Sequence, residues 1–490
     1  MRITVILSLL ISLSTFAQNQ VSVDTIKRPS VSDLNDTLGV ARFNESTLAD
    51  QSEVSITIYN NNLALVKDTR NISLLPGEIK LQFMDVAKLI KPETVSIRSI
   101  SLPGSLRILE QNYEFDLISY EKLMEKYVGN NVKLVNFSNQ LGFYEKDAKL
   151  MSYTQGRPIY EIEGEIYLNH PGSVVLPEIP GNLIAKPTLV WLLDNNQSDQ
   201  NIEVTYLTNG VSWRVDYVVV YDDKEHTMNL DAWITLNNQS GAAYTDATLK
   251  LVAGDVNIVS ANMQPKTMRG RAFALEAADA SGVRQESFAE YHLYTVPRKT
   301  TIKENQSKQI NLFSAQDITV NRAYEFRGQP YFYSQRISHF DSQKVASYLM
   351  FENEKENQLG IPLPGGVLRV YQRDNSGALQ FSGEDRIKHT PKNETVRLKI
   401  GNVFDVVGER TQIDFRKVSG NVYESTYEII LRNHKEEDII VDVVEPIYGT
   451  WTILDSNHSY KKVDLQSATF SLPVKKDGET ILTYRVRIEQ

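Results

Sequence analysis

The chain has 490 residues, no cysteine and a formal net charge of −9. The missing cysteines exclude disulfides, thiolate metal sites and thiol catalysis. The acidic balance argues against nucleic acid as a partner, because phosphates demand basic patches.

Residues 1–17 read as a secretory signal. Arg2 is the charged start, Ile3 to Ile11 form the apolar stretch, and Thr15-Phe16-Ala17 offers the small residues that a signal peptidase reads, with cleavage expected after Ala17. That apolar run is shorter than the roughly 20 residues of a membrane-spanning helix, and no later segment reaches that length. No cysteine follows to carry a lipid anchor. The expected location is therefore exported, in the periplasm or at the cell surface, with no transmembrane segment after signal removal. Residues 18–50 are polar with no sustained period, the pattern of a flexible leader.

Length predicts about three domains with their own cores. From Glu53 onward, short alternating runs recur between Asn, Gly, Pro and Asp turns, as in VSITIYN (54–60), IKLQFMDV (79–86) and TVSIRSISL (94–102). These belong to an expected N-terminal β domain over 51–200. One helix is predicted within it, Tyr120 to Val128. Ser119 is placed to cap it, Leu123, Met124 and Tyr127 give an apolar face, and Gly129 ends it. Glu161, Glu163 and Glu165 alternate with apolar residues along what reads as one strand. Carboxylates about 6.6 Å apart on a strand touch the lower edge of the inverting-glycosidase range. Every E-x-E strand shares that spacing, so the plainer reading is a solvated face.

A central β-sandwich is expected over 201–411. In WRVDYVVVY (213–221), Trp213, Val215, Tyr217 and Val219 point one way while Arg214 and Asp216 point the other. In NLDAWITLNN (229–238), Leu230, Ala232, Ile234 and Leu236 share a face, which puts one side on a core. Residues 261–288 break the alternation and read as a flexible loop. The remaining segment, 412–490, has short strands separated by turns every 8 to 12 residues or so and reads as an immunoglobulin-like sandwich anchored by Trp451. The expected fold class is all-β: tandem β-sandwich domains with one short helix. An outer-membrane barrel also alternates along its strands. The helix and the charges on both faces of several strands count against it.

Standard catalytic signatures are absent: no G-x-S-x-G, no H-E-x-x-H and no Walker A loop. The seven histidines lack metal-ligand spacing, so no metal and no cofactor is expected. Two clusters remain. In GEDRIKHTP (383–391), Glu384, Asp385 and His389 are the candidate catalytic residues, since a carboxylate beside an imidazole can serve as acid and base. The same residues also read as a turn tied by an ion pair, with His389 orienting the loop before Pro391. In AYEFRGQPYFY (323–333), Tyr324, Phe326, Tyr331 and Tyr333 are candidate binding residues. Exposed, they would form a stacking platform; buried, they would be hairpin packing. His292, flanked by tyrosines in EYHLYTV, is a further candidate for lining a pocket.

GVSWRVDY (210–217), LDAWITLNNQSGAAYTDATLKLVAGDVN (230–257), EYHLYTVPRKTTIKENQSKQI (290–310), GIPLPGGVLRVY (360–371), GEDRIKHTP and GNVFDVVGER (401–410) occur in order. Together they resemble the family called domain of unknown function 4139, over most of the chain from about residue 51. The resemblance extends to mucoidy-inhibitor-type proteins, which implies a cell-envelope or surface-polysaccharide connection and assigns no catalytic residues. The expected function is a non-catalytic binding or scaffold protein whose partner is an envelope component, polysaccharide or protein. The alternative is a glycan or peptide hydrolase using Glu384, Asp385 and His389.

Overall fold

The computed structural model describes residues 42–138, 142–168, 170–180, 183–254, 256, 284–288, 291–340 and 343–489. The expected signal peptide, most of the leader and residues 261–283 of the expected loop lie outside them. Among the described residues the strands form five sheets, none closed into a barrel, with one α-helix, so the fold is all-β with sandwich-like sheets.

Two stretches expected to be irregular are strands. Arg42–Ser46, at the end of the leader, pairs in parallel with Gly77–Met84. Arg284–Phe288 pairs antiparallel with Tyr291–Thr295. Neither has a clear alternating pattern. Their places are set by pairing with other strands, which local periodicity cannot report.

The first core spans both expected upstream domains. Gln51–Tyr59 runs parallel to Tyr244–Ala253 and antiparallel to Leu63–Ser73, placing N-terminal strands inside the central sheet. Opposite lie Val211–Asp222, Thr227–Asn238, Gln306–Thr319 and Gly366–Arg373 in a five-stranded sheet. Ile56, Ile58 and Val66 share one hydrophobic cluster with Trp213, Val215, Tyr217, Ile234 and Leu368. The alternation read in Val211–Asp222 holds: Trp213 through Tyr221 are buried at odd positions. Asp216 breaks the pattern, since it faces outward yet is only 6% exposed.

A satellite sheet of Asn131–Ser138, Gly142–Thr154, Arg157–Ile162, Glu165–Leu168 and Ser173–Val175 carries the helix Tyr120–Tyr127. Ser119 caps it, its hydroxyl accepting the Lys122 N–H at 3.2 Å. Met124 and Tyr127 are the residues it buries.

The second core gathers Tyr427, Ile429 and Leu431 with Val441, Val443, Phe470, Leu472, Tyr484 and Val486. Trp451 is buried there and donates from Nε1 to the Leu465 carbonyl at 2.9 Å. This sandwich reaches back beyond residue 412. Asn321–Arg327 is parallel to Ile439–Pro446, and Lys344–Glu352 pairs with Thr395–Ser419. Thr395–Ser419 runs between the cores: Val396 and Leu398 pack in the first, Val406 in the second.

Candidate functional site

The loop 360–366 and the strand Leu379–Ile387 lie where the two sandwiches meet. Two buried tyrosines hold the loop, Tyr294 donating to the Pro362 carbonyl at 2.9 Å and Tyr217 to that of Pro364 at 2.7 Å. The Asn353 amide donates to the carbonyls of Ile361 and Pro391, both at 2.8 Å, and its oxygen accepts the Gly360 N–H. Gly366 is required by close approach, because a Cβ there would run into the Val215 carbonyl.

The three candidate catalytic side chains part company here. Glu384 faces outward and pairs with Arg369 at 3.3 Å. Arg369 also donates to Asp216, which accepts from Thr235 at 2.7 Å and lies beside Arg214. Burial works to raise the Asp216 carboxyl, but the hydrogen bonds from Thr235 and Arg369 and the two guanidinium charges hold it below the ordinary value. Asp385 turns instead to the next strand, where the Lys399 N–H donates to Oδ2 at 2.7 Å. His389 points back to the loop. Its Nδ1 accepts the Gly365 N–H at 3.1 Å and its Nε2 faces the Asn60 amide at 3.2 Å. Each of the three side chains is thus tied to a different partner at the junction.

Tertiary structure does bring His389 to His292, at the start of Tyr291–Thr295. Burial, and after it the neighbouring His389, pull the His292 imidazole below its ordinary value. Among the described residues no group of three His, Asp or Glu side chains is placed to hold a metal ion. The glutamate row 161–165 is not one strand. Glu163 and Gly164 form a turn with positive φ, Glu165 pairs back across from Ile162, and Glu163 meets Lys146 at 3.3 Å.

The aromatic cluster divides as well. Tyr324, Phe326 and Tyr333 are buried in the second core, whereas Tyr331 is 53% exposed. The four residues therefore form no common platform. Tyr331 instead lines a cleft of about 510 Å³ whose described lining falls at residues 329–340 and 343, in the described part of the link between the strands Asn321–Arg327 and Lys344–Glu352. Its ring packs edge-on against Phe332 at 4.7 Å, and Phe332 against Phe340 at 4.9 Å. Gln329, Gln335, Ser338 and His339 supply the polar lining, with Arg336 as its one strong cation.

This link is irregular yet firmly tied. Tyr427 donates to the Phe332 carbonyl at 2.6 Å, and Gln412 accepts the Ile337 N–H while donating to the Gln335 carbonyl. Gln343, at the cleft wall, accepts from Arg410 Nε at 3.2 Å. Arg410 is fully buried and forms an ion pair with Glu445 at 2.6 Å. The pair is not aligned as a hydrogen bond, and Arg410 Nη1 has no hydrogen-bond partner. Glu445 accepts from Tyr333, which also meets Tyr484 at 2.9 Å. Burial is the largest influence on the Arg410 guanidinium and lowers its pKa, but the Glu445 charge together with Tyr484 and Tyr333 outweighs it and the pKa ends raised, so the cation persists. Burial, then the Glu445 charge, push the Tyr333 and Tyr484 phenols far up. Burial carries that of Tyr427 to about 12.

Sequence reasoning missed Arg410 and Glu445. The signal was parity: Val406, Gly408 and Arg410 alternate inward, as do Val441, Val443 and Glu445. A charge on the core-facing register of each of two strands is a readable sign of a buried pair. Comparison with known protein-family models and with curated proteins found no match to this chain.

Proposed function

We propose that the chain is an exported, non-catalytic protein that binds a component of the cell envelope through the cleft lined by residues 329–340 and 343. One observation carries this reading. The acid, base and imidazole that could have formed a catalytic group are committed to three separate structural partners, while the cleft is open, polar and fixed by buried anchors. Preorganisation of that kind lowers the ordering cost of binding and is what a recognition site needs. Export rests on the signal-like character of residues 1–17. The motif resemblance to the domain of unknown function 4139 family supports an envelope setting and a surface-polysaccharide connection.

The test uses the full chain, produced in a bacterium and fractionated. Export requires a mature N-terminus at Gln18 in the envelope or medium. The purified mature chain should then bind isolated envelope material saturably without releasing soluble sugar or peptide. Release of product that disappears in the Glu384→Gln/Asp385→Asn/His389→Gln variant, with its melt intact, would establish the hydrolase instead.

A further inference from the structure

We infer that the cleft lined by residues 329–340 and 343 takes a saccharide ring; this rests on the envelope-binding reading above and names its ligand class. The lining is chemically selective. Tyr331 presents a half-exposed ring whose orientation is set by Phe332, giving a flat apolar surface open to solvent. Such a surface matches the C–H face of a pyranose. Around it, the Gln329 and Gln335 amides and the Ser338 hydroxyl can each donate and accept, as sugar hydroxyls do. A ligand made of groups with both capacities is satisfied there from any direction.

Charge narrows the class further. Among the described residues that line the cleft, none is a carboxylate. The lining cation, Arg336, donates to the Phe415 carbonyl at 3.1 Å and so is held at the edge. It tolerates a neutral sugar and would favour one bearing an acid.

Shape disfavours an extended peptide. Its commonest mode of capture by a β protein is strand addition to a free sheet edge. Here the wall is a short 3-10 turn, Pro330–Tyr333, and irregular chain, which offer no ladder of backbone groups. The volume of about 510 Å³ lies within the range of small-molecule sites. The anchoring by Tyr427, Gln412 and Arg410 ties the cleft wall to the second core.

The test is an array of neutral, acidic and amino-sugar oligosaccharides probed with the mature chain, followed by calorimetry on the hits. Tyr331→Ala and Gln335→Leu alter exposed side chains and should leave the melt unchanged. Each is expected to weaken binding by about tenfold, in line with the energy of an aromatic contact. Phe381→Ala, on an exposed ring of the distant five-stranded sheet, should leave affinity unchanged. Sugar binding indifferent to both cleft variants overturns the assignment. A blank array alongside persistent, protease-sensitive binding to envelope material also overturns it, in favour of a protein partner, and leaves the envelope reading standing. Loss of envelope binding altogether removes that reading itself.

Discussion

At the scale of single residues, the decisive features are charges placed where apolar side chains were due. Arg410 and Glu445 face each other inside the second core, with Tyr333 and Tyr484 around them. Such a pair gives little net stability, but half of one is costly. Gly328 packs directly on it: an added Cβ would sit 2.5 Å from Glu445 Oε2 and 3.3 Å from Arg410 Nη2. Gly328→Ala is therefore expected to destabilise by ~1–3 kcal/mol, the range for overpacking. Denaturant titration measures it, and a loss under 0.5 kcal/mol, the usual bound for a surface change, would mean the pair can shift freely. His292 supplies a pH effect. Its lowered folded pKa means that the unfolded chain binds more protons below the ordinary value of about 6.5. The stability involved is complete above that value and is lost as pH falls through the lowered one. The melting temperature should accordingly fall more steeply on acidification than in His292→Gln. Parallel slopes would remove His292 from the account.

At the scale of elements, the strand Leu379–Ile387 shows how the residues of a motif that looks catalytic are tied into the surrounding sheets. Its outward side chain, Glu384, joins a polar row across the five-stranded sheet through Arg369, Asp216, Thr235 and Gln309. Asp385 ties the strand to Thr395–Ser419, which passes so close that a Cβ on Gly383 would strike the Ile400 carbonyl. Backbone cannot yield as a side chain can. Gly383→Ala is expected to push the two strands apart at a cost of at least ~1–3 kcal/mol. The specific readout is faster hydrogen exchange at the Lys399 amide, which donates to Asp385. Unchanged protection there would show that the crossing is looser than drawn. The helix Tyr120–Tyr127 was legible in full, because its cap, apolar face and terminal glycine are all local signals. The glutamate row was not, because a two-residue turn at Glu163-Gly164 interrupts an alternation that otherwise continues through it.

For the whole molecule, the arrangement of cores follows long-range pairing rather than the order of segments. Residues 51–73 share one core with strands more than 150 residues away. The strand Thr395–Ser419 is built into both cores, so they should unfold in a coupled manner. A fragment of residues 412–490 alone would lack Asn321–Arg327 and Lys344–Glu352, and would bury Glu445 without Arg410. It is expected to show no cooperative thermal transition, since an unpaired buried charge costs ~3–5 kcal/mol. A sharp melt of that fragment would prove the last sandwich self-sufficient.

The sequence by itself determined the all-β class, the buried faces of Val211–Asp222 and Thr227–Asn238, the helix with its cap and the core position of Trp451. Each of these is written in side-chain period or in turn and cap chemistry, which act over a few residues. Only the tertiary structure decided that Glu384, Asp385 and His389 go three ways, that His292 meets His389, and that Tyr331 lines a cleft while Tyr324, Phe326 and Tyr333 are buried. Those outcomes depend on which strands pair and in what register. Pairing is set by the summed burial of residues hundreds of positions apart, and no local pattern carries that sum.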